Sequence, residues 1–327
     1  MHHLSEAARP LGPAAAVRPW SGPTLQVRSG AEDPFTVAAW WWDADEVVRP
    51  GGVGQTADVI LGFCLANGVN ELYLDLHFSQ LPAWGAARNG KHATREQLAA
   101  WIGLCHDHGI RVSALTGAGG KAACAWLDPA RGFPELAEHI RETAEFNRRV
   151  LPSQRLYGVH FDLEPDCGDE RPRYLYFMYR MLHTLRALCE RHGLQLEFDL
   201  NAWYSDADRI TDDEGRCIRI LDAYTTLCDS LAIMSYRPTA AQQLAICRAE
   251  WEAARKNGCR ILLGCETGSA ESMAPEERII TYAPCGTETM YAEQRRLRQL
   301  LEAEGFPAEK AGIAVHWTDS WYQMAQG

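Results

Sequence analysis

Gly158-Val159-His160-Phe161-Asp162-Leu163-Glu164-Pro165 is the stretch on which the fold and the chemistry both turn. It reads as a buried strand that ends in two carboxylates, two residues apart. Side chains alternate across a strand, so Asp162 and Glu164 project to one side. Two acids held together raise each other's proton affinity, and one of them stays protonated near neutral pH. A carboxyl group in that state is what protonates a glycosidic oxygen. The plainer reading of an isolated D-x-E is a helix cap or a partner for an arginine, because surface carboxylates are common. The rest of the chain decides between the two.

Outward from this strand, short apolar runs alternate with amphipathic stretches. The runs cover 35–40, 71–76, 110–115, 156–162, 194–200, 230–235, 260–265 and 312–317. Helical patterns lie between them at 56–66, 94–108, 134–150, 173–192, 217–226, 240–256 and 287–303. Asn67-Gly68, His108-Gly109, His192-Gly193, Asn257-Gly258 and Glu304-Gly305 each place a glycine where a left-handed cap ends a helix. Eight strands alternating with helices predict one α/β domain, a single (β/α)8 TIM barrel over 35–327. Residues 1–34, rich in Ala, Pro, Gly and Ser, read as a tail, poorly ordered or draped on the barrel. A doubly wound sheet would carry a glycine-rich turn after its first strand, where Trp40-Trp41-Trp42-Asp43 stands instead. Gly117-Ala118-Gly119-Gly120, after the third run, lacks the Lys-Ser/Thr of a phosphate loop and reads as a tight loop.

Composition narrows the function classes. The 327 residues carry a formal net charge of -11, and 46% are hydrophobic. That is a globular chain without the basic surface a nucleic acid needs. No apolar run is long enough to span a membrane, and the first thirty residues show no signal-peptide core. The eleven cysteines are an odd number, scattered without C-x-x-C spacing, which argues against zinc knuckles and a disulfide framework. Cys64, Cys105, Cys189, Cys228, Cys247 and Cys265 fall in core segments and suit a reducing compartment. The expected location is cytoplasmic, with secretion left open for a chain trimmed of its leader.

Barrel chemistry sits at the carboxyl ends of the strands. Those ends carry Trp40, Trp41, Trp42 and Asp43; Asp75 and His77; Thr116; His160, Asp162 and Glu164; Glu197, Asp199 and Asn201; Met234, Tyr236 and Arg237; Glu266; and His316, Trp317 and Asp319. Polar and aromatic side chains thus gather at one end of nearly every strand. Some of them, Glu197 and Asp199 above all, read as a plug whose members satisfy one another. Trp40, Trp41, Trp42, Trp203, Trp317 and Trp321 lie at or beyond strand ends, and flat aromatic faces suit sugar rings. Three tryptophans in a row cannot share one side, so at least one of Trp40, Trp41 and Trp42 packs elsewhere.

At these residues the chain resembles glycoside hydrolase family 18, the chitinases and endo-β-N-acetylglucosaminidases. That family's fourth strand carries D-x-x-D-x-D-x-E. Tyr157, His160, Asp162 and Glu164 occupy those positions, so the last two acids are kept and the first two are not. The family's M-x-Y-D on strand six is met by Met234-Ser235-Tyr236-Arg237, and its S-x-G-G-like turn loosely by Thr116 to Gly120. Trp317 matches the tryptophan under the scissile sugar. The resemblance implies Glu164 as general acid and Asp162 as the residue orienting the substrate's N-acetyl group, whose carbonyl oxygen is the nucleophile. It implies Tyr236 as a hydrogen-bond partner of that acetamido group. Arg237, in place of an acid, is expected to pair with Glu266 or to hold an anionic substituent.

Three other readings use the same residues. A retaining glycosidase would place Glu164 and Glu266 about 5–5.5 Å apart as acid/base and nucleophile. A metal-dependent hydrolase would draw on Asp75, His77, Asp162, Glu164 and His316, but the first strand offers no His-x-His. A chitinase-like sugar-binding protein would have no turnover at all. The reading adopted is a glycosidase with Glu164, Asp162, Tyr236 and Glu266 as its catalytic group. Asp75, His77, His160, Asn201, Arg237, His316, Trp317 and Trp41 are expected to bind the carbohydrate. No metal, cofactor, nucleic acid or membrane is expected. The connection after Glu266, with Pro275 and Pro284, is expected to shape the cleft.

Overall fold

The computed structural model describes residues 17–42, 57–81, 84–85, 93–131, 133–166, 168–202, 204, 207–269 and 279–327. The strands, in chain order, are β1 (Thr36–Trp41), β2 (Glu71–Asp75), β3 (Arg111–Gly119), β4 (Gly158–Glu164), β5 (Gln195–Asn201), β6 (Arg209–Thr211), β7 (Cys217–Arg219), β8 (Ser230–Met234), β9 (Arg260–Glu266) and β10 (Ala311–His316). All but β6 and β7 pair in parallel and close into a barrel, β1-β10-β9-β8-β5-β4-β3-β2. Each expected apolar run is one of its eight strands, and the chain is a (β/α)8 barrel. Its helices are α1 (Ala57–Ala66), α2 (Arg95–Asp107), α3 (Gly120–Trp126), α4 (Pro134–Arg149), α5 (Arg171–His192), α6 (Ile220–Leu227), α7 (Ala240–Ile246), α8 (Arg248–Asn257), α9 (Thr287–Ala303) and α10 (Thr318–Gln326).

The differences from the sequence reading are local. Residues 217–219 form an antiparallel ribbon with 209–211 in place of the first turn of a helix. The helix expected over 240–256 breaks at Cys247 into α7 and α8. The expected tight loop at Gly117 to Gly120 is strand as far as Gly119, and Gly120 opens α3. The five glycines expected to end helices all have left-handed φ, from 67° at Gly193 to 76° at Gly109.

Alternation splits each strand between two cores. Outward residues such as Val37, Ala39, Leu72 and Leu74 pack under the helices in the main apolar layer. Inward residues Ala38, Trp40, Tyr73, Leu115, Ala232, Leu262 and Ala314 form a smaller cluster inside the barrel. Residues 17–34 drape over the outside: Leu25 and Val27 are buried, and Arg298 bonds the Val27 carbonyl at 2.6 Å. No helix among the described residues is long and apolar enough to cross a membrane.

Below the inward apolar cluster, the barrel is filled by charge. Arg260 of β9 reaches Glu71 of β2 at 2.5 and 2.8 Å, and Glu197 of β5 at 3.0 Å. Arg111 reaches Glu71 at 2.6 Å, and the Tyr73 hydroxyl donates to it at 2.8 Å. Burial opposes ionisation of Glu71, but the two guanidinium groups outweigh it and hold the carboxyl below its usual range. Glu197 is therefore part of a plug, as its sequence position suggested.

Candidate active site

The carboxyl end of β4 is built by its neighbours. In register, Asp162 lies between Gly117 of β3 and Asp199 of β5, and Glu164 lies beside Gly119. A Cβ on Gly117 would meet the Asp162 carbonyl oxygen at 2.8 Å and its Cβ at 3.1 Å, so glycine is what allows the strands this close. Among the described residues nothing lies within 4 Å of a Cβ built on Gly119, beside Glu164. A Cβ on Gly264 would meet the Ile233 carbonyl at 2.7 Å and the Tyr236 ring at 2.9 Å, and its absence seats that ring over the barrel.

Inside the barrel, charges alternate upward from the plug. His160 lies between Glu197 (3.8 Å) and Asp199 (2.8 Å) and stacks on Tyr73 at 3.7 Å. Burial alone would lower its pKa. Asp199 first, and then Glu197, override that and raise it to about 10. His160 is thus a buried imidazolium, and at 1% exposure it touches no ligand. This corrects its expected role in substrate binding. Because its folded pKa is raised from 6.5, its contribution to stability is complete below pH 6.5 and is lost as the pH rises through about 10. The thermal midpoint is expected to fall more steeply across that window in the wild type than in His160→Gln. Parallel slopes would reject the imidazolium.

Asp199 also accepts a hydrogen bond from the Trp40 indole at 2.8 Å. It is the register neighbour of Asp162 on β5. Burial, then Asp199 and Glu164, push the Asp162 carboxyl well above its ordinary range, with His160 opposing. Asp162 Oδ1 is buried without a hydrogen-bond partner among the described residues. Glu164, at the exposed strand end, is raised by burial and then by Asp199. A hydrogen bond from Asn201 opposes the rise, as does His316.

His316 of β10 organises the opposite wall. Its Nδ1 meets Glu266 Oε2 at 2.7 Å, and its Nε2 faces the Trp42 indole nitrogen at 3.0 Å. An indole N–H only donates, so Nε2 accepts and Nδ1 carries the proton given to Glu266. Glu266 is 4% exposed, and its other oxygen accepts from the Thr267 and Gly268 amides at 2.7 and 2.5 Å. Tyr236 stacks near His316, with ring centroids 6.0 Å apart, and Trp317 meets His316 edge-on at 5.1 Å. Trp42 and Trp317, both half-buried, lie on the apolar cluster inside the barrel and form an aromatic floor. Burial, then Glu266, Asp199, Asp162 and Glu164, raise the Tyr236 phenol, which keeps its proton and donates.

Asp162, Glu164, Tyr236 and Glu266 thus converge at one end of the barrel, joined by Asn201, His316 and Trp317. Not every expected site residue is shown to join them. Trp41 is fully buried under the helices against Trp101, with ring centroids 5.1 Å apart, because alternation sends it outward while Trp40 and Trp42 point inward. Arg237 donates to the Tyr236 carbonyl at 2.6 Å, and the partner expected for it, Glu266, is held by His316. Asp75 and His77 face each other at 3.4 Å at the end of β2. Asp43, Trp203 and Pro275 lie outside the described residues. The sequence reading placed Trp42 at a strand end but chose Trp41 for the site, although period two from Ala38 points to Trp42, and the Trp42–His316–Glu266 chain was missed. No cluster of three or more metal-ligating side chains is present among the described residues.

The architecture defines a (β/α)8 barrel with an acidic, aromatic-floored crater at the carboxyl ends of its strands. In fold it distantly resembles the chitinases of glycoside hydrolase family 18. A family 18 chitinase from Pseudoalteromonas aurantia superposes with a TM-score of 0.51 at 12% identity, over 89% of this chain and 99% of that one. A chitinase from Chromobacterium violaceum gives 0.43 at 15% identity, over 71% and 68%. A xylanase and α-amylase inhibitor protein from Scadoxus multiflorus gives 0.47 at 11%, over 89% and 96%. The sequence matches no protein-family model and no curated protein.

Proposed function

We propose that this chain is a glycoside hydrolase that cleaves N-acetylhexosamine-containing glycans with Glu164 as general acid. The observation that carries the reading is the Glu164 carboxyl, raised in pKa and open to solvent beside a second raised carboxyl. The protonated Glu164 gives its proton to the glycosidic oxygen as the bond breaks. Asp162 presents an acceptor without a protein partner, Oδ1, to the acetamido N–H. Tyr236 donates to the acetamido carbonyl, whose oxygen closes on the anomeric carbon. Trp317 and Trp42 supply the face on which the sugar rests.

The two-glutamate alternative is less well supported. Three hydrogen bonds, one from His316 and two from backbone amides, hold the Glu266 carboxyl at 4% exposure and leave it a single lone pair on Oε2. In the proposed reading Glu266 is a positioning residue for His316.

A general acid works only while protonated, so kcat/KM is expected to fall as pH rises through the folded pKa of Glu164, which lies above 4.5. The Asn201 hydrogen bond favours the charged form, so Asn201→Ala is expected to move this limb to higher pH. A pH–rate profile on N-acetylhexosamine oligomers checks both points. A limb that stays put in Asn201→Ala would mean that another group supplies the proton.

A further inference from the structure

The opposite end of the barrel holds a cleft of about 750 Å³ that the proposed chemistry does not use. It lies where α2, α4 and α5 end and where β3 and β4 begin. Arg111, Arg148, Arg155, Arg191, His106 and His192 line it, and no carboxylate is among its described lining residues. This is an unusual gathering in a chain with 43 acidic against 32 basic residues. Cations at helix carboxyl ends complement the helix dipole. That accounts for Arg148, Arg191, His192 and His106, but Arg111 opens a strand and Arg155 sits in the connection before β4.

The individual contacts leave donors free. The side chains of Arg191 and His192 have no hydrogen bond or ion pair among the described residues. Arg155 spends only its Nε, on the Asn147 carbonyl at 3.1 Å. His106 Nδ1 is tied to the Ser153 carbonyl at 2.8 Å, which turns Nε2 to the other side of the ring. Arg111 gives one nitrogen to Glu71, and its guanidinium lies 5.0 Å from the centre of the Tyr157 ring, which holds it flat. Arg148 is the exception, being engaged by Glu145 on its own helix.

We propose that this cleft binds a small organic phosphate, with the arginines gripping a diphosphate or phosphate ester. Guanidinium forks match the several acceptor oxygens of a phosphoryl group, and the volume holds more than a bare ion. A long polyanion is disfavoured by the chain's net charge of -11.

Calorimetric titration of the full chain at low ionic strength, with ADP, pyrophosphate, inorganic phosphate and sulfate as probes, tests the site. ADP or pyrophosphate is expected to bind at least about tenfold more tightly than sulfate. Tighter binding of ADP than pyrophosphate assigns an organic ligand. Equal binding of the two overturns the organic part of the proposal and leaves an inorganic diphosphate site. Arg191→Glu and Arg155→Glu, both on exposed side chains, are each expected to weaken binding by about tenfold or more with the thermal midpoint unchanged. Absence of binding by every probe, sulfate equal to pyrophosphate, or affinity unchanged in both variants would overturn the site. None of these readouts depends on glycan cleavage, so the outcome is independent of the activity proposed above.

Discussion

Glu164→Gln is expected to lower turnover on N-acetylhexosamine oligomers by about 10²–10⁴-fold while leaving their binding intact. Glutamine keeps the size of the side chain and can still bond Asn201, but it cannot deliver a proton to the leaving oxygen. The comparison that gives this result meaning is Glu266→Gln. If Glu266 were a nucleophile, its loss would be as damaging as that of Glu164. In the present geometry its carboxylate receives the Nδ1 proton of His316 at 2.7 Å, and a glutamine oxygen can receive it too. Glu266→Gln is therefore expected to cost much less. Plain hexosides should not be cleaved, since they lack the acetamido oxygen that the proposed mechanism needs. Equal losses in the two variants, with hexosides cleaved, would replace this mechanism by the two-glutamate one. Sugar binding with no turnover in the wild type would make the chain a carbohydrate-binding barrel.

The barrel was legible because its signals are local and repeated. Each strand is a short apolar run, and most are entered from a helix that stops at a glycine. Period two also brought Asp162 and Glu164 together, and the same rule, applied strictly, sends Trp41 outward and Trp42 inward. What the sequence could not disclose are the partnerships across the barrel. His160 stands where family 18 has an acid. Its charge is set by Glu197 and Asp199, more than thirty residues away in sequence. The like charge that, after burial, does most to raise the Asp162 carboxyl accordingly comes from β5, the neighbouring strand. Arg237 beside Tyr236 suggested a partner for Glu266 by proximity in motif. The pairing of β9 with β10 sets Glu266 directly beside His316 instead. Strand neighbours across 50 residues decide that contact, and no local pattern announces it.

The same cross-barrel charges make Arg260 a residue on which stability depends. It is the cation shared by Glu71 and Glu197, both fully buried. Arg260→Met fills much of the same space but strands two carboxylates, and breaking a buried pair in this way costs about 3–5 kcal/mol. The two acids are not equally exposed to the loss. Glu71 keeps Arg111 at 2.6 Å and the Tyr73 hydroxyl at 2.8 Å. Among the described residues Glu197 keeps only His160, at 3.8 Å. Most of the penalty should therefore sit on Glu197, and Arg260→Met/Glu197→Gln should recover a good part of the stability lost by Arg260→Met alone. Arg260→Lys should fall between wild type and Met, because an ammonium supplies the charge but cannot span both carboxylates with a planar fork. Denaturant midpoints for the four proteins form the measurement. A loss below about 1 kcal/mol for Arg260→Met, or no recovery in the double variant, would show that the plug is solvated or that Glu197 takes up a proton at little cost. His160 would then lose the lower of its two anionic partners, and the thermal midpoint between pH 6.5 and 10 would flatten along with it.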